Sequence, residues 1–167
     1  MKKAHIISGS PGSGKTTYGR KLAESNCLIF LDIDTVTGRL VEIALCEGGH
    51  SSSDRDSAYF KATFREPIYQ TLFDIARENL GWTDVVIAGP FTRELRDVDW
   101  PAKLRKLLSA QIEVHYLYCD PLERKRRLEQ RKHPRDVAKL NDWKVSTSYY
   151  GDESPPVFPH VFVDTTK

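Results

Sequence analysis

Gly9-Ser10-Pro11-Gly12-Ser13-Gly14-Lys15-Thr16 is the stretch on which the reading of this chain turns, because it carries the whole G-x-x-x-x-G-K-[ST] pattern. Its glycines let the backbone turn tightly and aim N–H groups at phosphate oxygens. In that pattern Lys15 reaches the β- and γ-phosphates, and Thr16 offers a hydroxyl to Mg²⁺. The motif needs an apolar strand before it and a helix after it, and Ala4–Ser8 and Thr17–Glu24 supply them. A helix starting near Lys15 adds its positive end to the same place. Gly9, Ser10, Pro11, Gly12, Ser13, Gly14, Lys15, Thr16 and Thr17 are therefore expected to bind the phosphates of a nucleotide. A plain glycine-rich turn is the weaker reading, since it explains neither the lysine nor the flanking elements.

Working outward, Cys27–Leu31 is a short apolar run of the kind buried on both faces of a parallel sheet, and it delivers Asp32-Ile33-Asp34 at its end. Ligands of open parallel sheets bind outside the carboxyl ends of the strands, so both carboxylates should emerge beside the glycine loop. Two residues apart on an extended segment, they point the same way. One can hold Mg²⁺ through a water, and the other can accept a proton from an attacking hydroxyl. Helix capping by Asp34 is the competing role. Thr35–Cys46 is predicted helical with Val36, Leu40, Ile43 and Ala44 apolar at helical spacing. Glu47–Ser53 is a polar loop. Asp54–Leu80 is helical, with Pro67 near the start of a second helix and the two meeting at Arg65-Glu66. Further strands are expected at Asp84–Ala88, Ile112–Cys119 and His160–Val163. Helices are expected at Asp99–Ser109, Pro121–Arg131, and Arg135–Tyr149 up to Gly151. Five strands alternating with helices make an α/β fold with a parallel sheet.

The chain has 167 residues, 25 basic and 23 acidic side chains and a net charge of +2. That size suits one domain spanning residues 1–167. The near balance of charge does not advertise nucleic acid or an acidic membrane surface. Cys27, Cys46 and Cys119 are few and widely spaced, which points to reduced thiols. No segment approaches the length of a membrane span. A cytoplasmic protein is the expectation.

The strand Val85–Ala88 ends without the carboxylate that usually holds Mg²⁺ beside such a loop, which leaves that task to Asp32. The basic run Arg124–Arg135 divides into two groups. Arg124, Lys125, Arg126 and Lys132 read as a solvated helix face, whereas Arg131 and Arg135 read as lid arginines that neutralise a phosphoryl group in transit. Arg93, just past a strand end, is a candidate substrate contact. His5, His50, His115, His133 and His160 show no paired spacing, so a metal site built from them is not expected. Trp82, Trp100 and Trp143 are expected to pack in the core or an interface.

These residues resemble the small P-loop kinases that phosphorylate hydroxyl groups, among them shikimate kinase, gluconate kinase, chloramphenicol phosphotransferase and the zeta toxins. Gly9–Thr16 resembles their Walker A motif, and Phe30-Leu31-Asp32-Ile33-Asp34 is similar to the F-x-D-x-D segment of shikimate kinase. Leu31–Gly38 and Pro90–Leu95 resemble AAA-type ATPases of kinase size. The likeness implies a P-loop NTPase fold with strand order 2-3-1-4-5, helices on both faces and a short arginine-bearing lid. It also implies a metal role for Asp32 and a base or substrate role for Asp34. Arg39–Arg65 departs from the substrate-binding helices of shikimate kinase, so that substrate is not implied. Lys167 falls where many relatives continue into a helix, and an adenine pocket partly open is the corresponding expectation.

An ATP- and Mg²⁺-dependent phosphotransferase acting on a small-molecule hydroxyl follows, with Lys15, Asp34, Arg131 and Arg135 as its catalytic set. A 5′-hydroxyl polynucleotide kinase and a non-catalytic ATP-binding regulatory protein are the alternatives. Oligomeric state is left open by the sequence.

Overall fold

The computed structural model describes residues 1–149 and 154–167. Five strands, β1 (Lys3–Gly9), β2 (Ile29–Asp32), β3 (Val85–Ala88), β4 (Gln111–Tyr118) and β5 (Val161–Asp164), form one sheet of order β2-β3-β1-β4-β5. All four pairings are parallel. This is the α/β architecture of the P-loop NTPases, with β1 central and the ends of β1, β2 and β3 side by side. Serine and backbone hydrogen bonds hold that edge: Ser8 Oγ donates to the Pro90 carbonyl at 2.8 Å, and the Gly89 N–H donates to the Ile7 carbonyl at 3.1 Å.

Strand alternation sorts the core into two layers. Ile6, Leu31, Val85, Ile87 and Val114 face α2 (Ile33–Glu47), α4 (Arg65–Asn79) and α5 (Trp100–Leu108). Ile7, Val86, Ala88 and Leu117 face Ala23 of α1 (Lys15–Asn26). An aromatic group of Tyr69, Phe73, Phe91 and Trp100 joins α4, the end of β3 and α5, and Phe158 packs on Trp100. Trp100 is thus a core residue, as expected, whereas Trp82 is 83% exposed.

Several boundaries move from their expected places for local reasons. Cys27 closes α1 in the left-handed region, with φ 53°, so β2 begins only at Ile29. The Asp54 carboxylate accepts from the N–H groups of Asp56 and Ser57, which keeps that segment out of helix. Ser57 then caps α3 (Ala58–Thr63) by accepting from the Phe60 N–H. Pro67 lies in the first turn of α4, where its missing N–H has no helical partner to lose. α6 (Pro121–Arg131) follows the Asp120 cap. The single helix expected from Arg135 is instead a 3-10 turn at Pro134–Asp136, then α7 (Val137–Asn141) and α8 (Trp143–Tyr149). Its expected end at Gly151 lies outside the described residues.

α2 buries a different stripe from the one predicted. Thr37, Val41 and Leu45 are inside, while Leu40 is 73% and Ile43 60% exposed. The segment offers two overlapping apolar stripes at helical spacing. The direction in which the chain leaves β2 selects between them.

Candidate active site

Between the glycine loop, the end of β2 and the start of α4 lies a cleft of about 380 Å³. On its loop side Gly12 and Gly14 adopt φ 82° and 84°, a backbone that side-chain-bearing residues rarely take. Gly14 caps α1 without any side-chain hydrogen bond. The first-turn N–H groups of α1 are thereby left for an anion. Pro11, Gly12, Gly14, Lys15, Thr16 and Thr17 line the cleft, whereas Gly9, Ser10 and Ser13 do not. Gly9 and Ser10 serve through their carbonyls, which accept from Lys15 Nζ at 2.8 and 2.9 Å. Burial pushes the Lys15 ammonium down to about 8, against the pull of the Asp34 and Asp32 carboxylates.

Asp32 has two tasks. Its Oδ1 accepts from the Asp34 and Thr35 N–H groups, which makes it the N-cap of α2, and its Oδ2 accepts from Thr16 Oγ1 at 2.7 Å. Capping therefore belongs to Asp32 and not to Asp34. The Thr16 hydroxyl and the Asp32 carboxylate offer adjacent hard oxygens, the donor type that Mg²⁺ takes. Asp34 is not on an extended segment, because α2 already starts at Ile33. It sits in the first helical turn, half exposed, with its Oδ2 2.6 Å from Arg135 Nη1.

The arginine run is corrected in one respect. Arg124 is only 1% exposed and belongs to no solvated face: it donates to the Pro11 carbonyl at 3.2 Å and lies over the Trp143 ring. α6 is thus fastened beneath the loop. Arg127, Arg131 and Arg135 all line the cleft. Arg127 is held by Glu123 and the Thr165 carbonyl, and Arg131 by a fork of hydrogen bonds to buried Asp136 at 2.8 Å. Arg93 is exposed and lies outside the cleft lining, where its neighbour Thr92 takes part. The backbone past Phe91 turns Arg93 away.

The far wall contains Arg55, Asp56, Phe60, Lys61, Arg65, Tyr69 and Lys139. Here Lys139 Nζ meets Asp56 Oδ2 at 2.6 Å, Arg65 pairs with Glu94 at 2.8 Å, and the Arg55 guanidinium lies over Phe60. Asp56 and Lys139 carry no motif and are 83 positions apart, so spacing gave no sign of them. Although no spacing along the chain pairs the histidines, the β1–β4 pairing brings His5 and His115 together with Glu113.

Residues 5–150 match the model of a family described as AAA domain (AAA_33). A shikimate kinase of Enterococcus faecalis is 29% identical over 127 residues, covering 75% of this chain; the chain spans 64% of that relative's length. Among solved structures, a sugar kinase from Janibacter sp. superposes with a TM-score of 0.64 at 15% identity, over 98% of this chain and 86% of its own. A gluconokinase from Sinorhizobium meliloti gives 0.61 at 18%, over 99% and 83%. At those identities the structures speak for the fold. No helix among the described residues is long and apolar enough to cross a membrane. With the glycine loop, the sheet order and the matched span in agreement, the chain belongs to the family described as AAA domain (AAA_33), on a P-loop NTPase fold.

Proposed function

We propose that this protein transfers the γ-phosphoryl group of Mg·ATP to a hydroxyl of a small molecule. The observation that carries the reading is the meeting of Lys15, the Thr16–Asp32 oxygen pair and the Asp34–Arg135 pair in one cleft with a separate polar and aromatic wall. The loop, Lys15 and the α1 N-terminus hold the triphosphate. Thr16 and Asp32 would hold Mg²⁺, which when bound neutralises charge on the β- and γ-phosphate oxygens. The acceptor sits against Arg55, Phe60, Arg65 and Tyr69. Its hydroxyl oxygen forms the new bond to the γ-phosphorus, its proton passes to Asp34, and the bond from that phosphorus to the bridging oxygen breaks to release ADP.

Arg135 has a double position in this scheme. Bound to Asp34 it occupies the base, and moved onto the phosphoryl group it frees the base and neutralises the charge in transit. Lys15 and Arg131 complete the neutralisation, and closure of the α6–α7 segment excludes water.

The test is ADP production from Mg·ATP against a panel of small hydroxylated compounds and 5′-hydroxyl oligonucleotides, with Asp34→Asn and Lys15→Ala in parallel. Stimulation by a small-molecule class is expected, with Asp34→Asn lowering turnover by roughly 10²- to 10⁴-fold at near-normal ATP affinity. Lys15→Ala should lose ATP binding. Stimulation by oligonucleotides alone would identify a polynucleotide kinase, and ATP binding without turnover on any acceptor would identify a regulatory protein. Full speed in Asp34→Asn would remove Asp34 as the base.

A further inference from the structure

On the α1 side of the sheet, toward the start of the strands and away from the cleft edge, His5 and Glu113 stand directly opposite in the β1–β4 register, and His115 follows two residues on. Their ligand atoms form a triangle: His5 Nδ1 to His115 Nε2 is 3.1 Å, His5 Nδ1 to Glu113 Oε2 is 3.0 Å, and His115 Nε2 to Glu113 Oε2 is 3.3 Å. An imidazole nitrogen has one in-plane direction, for either a proton or a lone pair. Three atoms so placed cannot all be joined by hydrogen bonds along the three edges. They can all be satisfied by one cation, because a tetrahedral zinc ion with bonds of about 2.0–2.1 Å sets its ligands about 3.3 Å apart.

We propose that His5, Glu113 and His115 form a binding site for Zn²⁺ or a similar late first-row divalent ion, separate from the nucleotide cleft. Two imidazoles and one carboxylate are a donor set that selects such ions over Mg²⁺ or Ca²⁺. The surroundings orient each ligand. Tyr18 Oη lies 3.0 Å from His115 Nδ1, so an N–H there donating to Tyr18 leaves the Nε2 lone pair facing the triangle. Lys3 Nζ donates to Glu113 Oε1 at 3.1 Å and leaves Oε2 for the ion. His115 is buried, His5 nearly so, and Glu113 half exposed, which places an entry path on the Glu113 side. The ion would join β1, β4 and the first turns of α1, the helix that starts at the phosphate loop.

Zn²⁺ alone is the probe, titrated by calorimetry into the full chain, with Co²⁺ absorption reporting the ligand field. Asp32→Asn removes the buried carboxylate of the nucleotide cleft, and a Cys27→Ser, Cys46→Ser double variant removes the exposed thiols. One equivalent is expected in the wild type and in both controls, with a rise in the unfolding temperature. Affinity should fall by about 100-fold or more in His5→Gln and His115→Ala, and by about 10-fold in Tyr18→Phe. Glu113→Gln, at the half-exposed corner, weakens binding while keeping the fold measurable by circular dichroism. No micromolar Zn²⁺ uptake by the wild type, or uptake unchanged in folded His5→Gln and Glu113→Gln, overturns the proposal.

Discussion

Lys15 carries an ammonium in a place that does not favour one until phosphate arrives. Burial holds it at about 8, far below the ordinary lysine value, and its hydrogen bonds go to the Gly9 and Ser10 carbonyls. A bound triphosphate restores a strong preference for the charged form. Above about pH 8 the free side chain is largely neutral, so binding takes up a proton, and near pH 6.5 it takes up almost none. Calorimetry of Mg·ATP binding in buffers of different ionisation enthalpy should show this uptake at high pH and almost none near pH 6.5. Asp34 and Arg135 show the same economy of charge, since each neutralises the other until a substrate group intervenes.

Among the elements, α2 tests how far a helix can be read from its own periodicity. Leu45 is fully buried and Val41 nearly so, while Leu40 and Ile43 lie in solvent. Leu45→Ala should therefore cost about 2–5 kcal/mol in urea unfolding. Leu40→Ser should stay within about 0.5 kcal/mol of wild type. Had the stripe predicted from spacing been the buried one, the two results would exchange places. α6 makes the complementary point: Arg124 packs inward onto the Pro11 carbonyl and Trp143 although its neighbours Lys125 and Arg126 are surface residues, so a basic run can contain a structural member.

For the whole molecule, Phe91 is where the layers are tied together. It is fully buried at the end of β3, its backbone has φ 41°, and its ring packs on Tyr69, Phe73 and Trp100. Cutting it back to alanine removes contacts from α4 and α5 at once. Phe91→Ala should lose about 3–5 kcal/mol. For a chain of this size that lowers the midpoint of thermal unfolding by roughly 10 °C, measured by differential scanning calorimetry. The same turn holds Thr92 in the cleft and Arg93 outside it, so packing in the core decides which side chain of that loop meets a ligand.

What could be read from the sequence was whatever depends on neighbours along the chain. The glycine loop, its flanking strand and helix, the alternation of strands and helices, and the carboxylates at the end of β2 are local patterns, set by backbone freedom and burial over a few residues. Resemblance supplied the strand order. What only the tertiary structure decided depends on how distant segments meet: the buried face of α2, the inward turn of Arg124, the exclusion of Arg93, the Asp56–Lys139 wall and the His5–Glu113–His115 triangle. His5 and His115 are 110 positions apart and become neighbours through the register of β1 on β4. No spacing along the chain encodes that register. It is chosen by the burial of whole strand faces, a property of the assembled sheet.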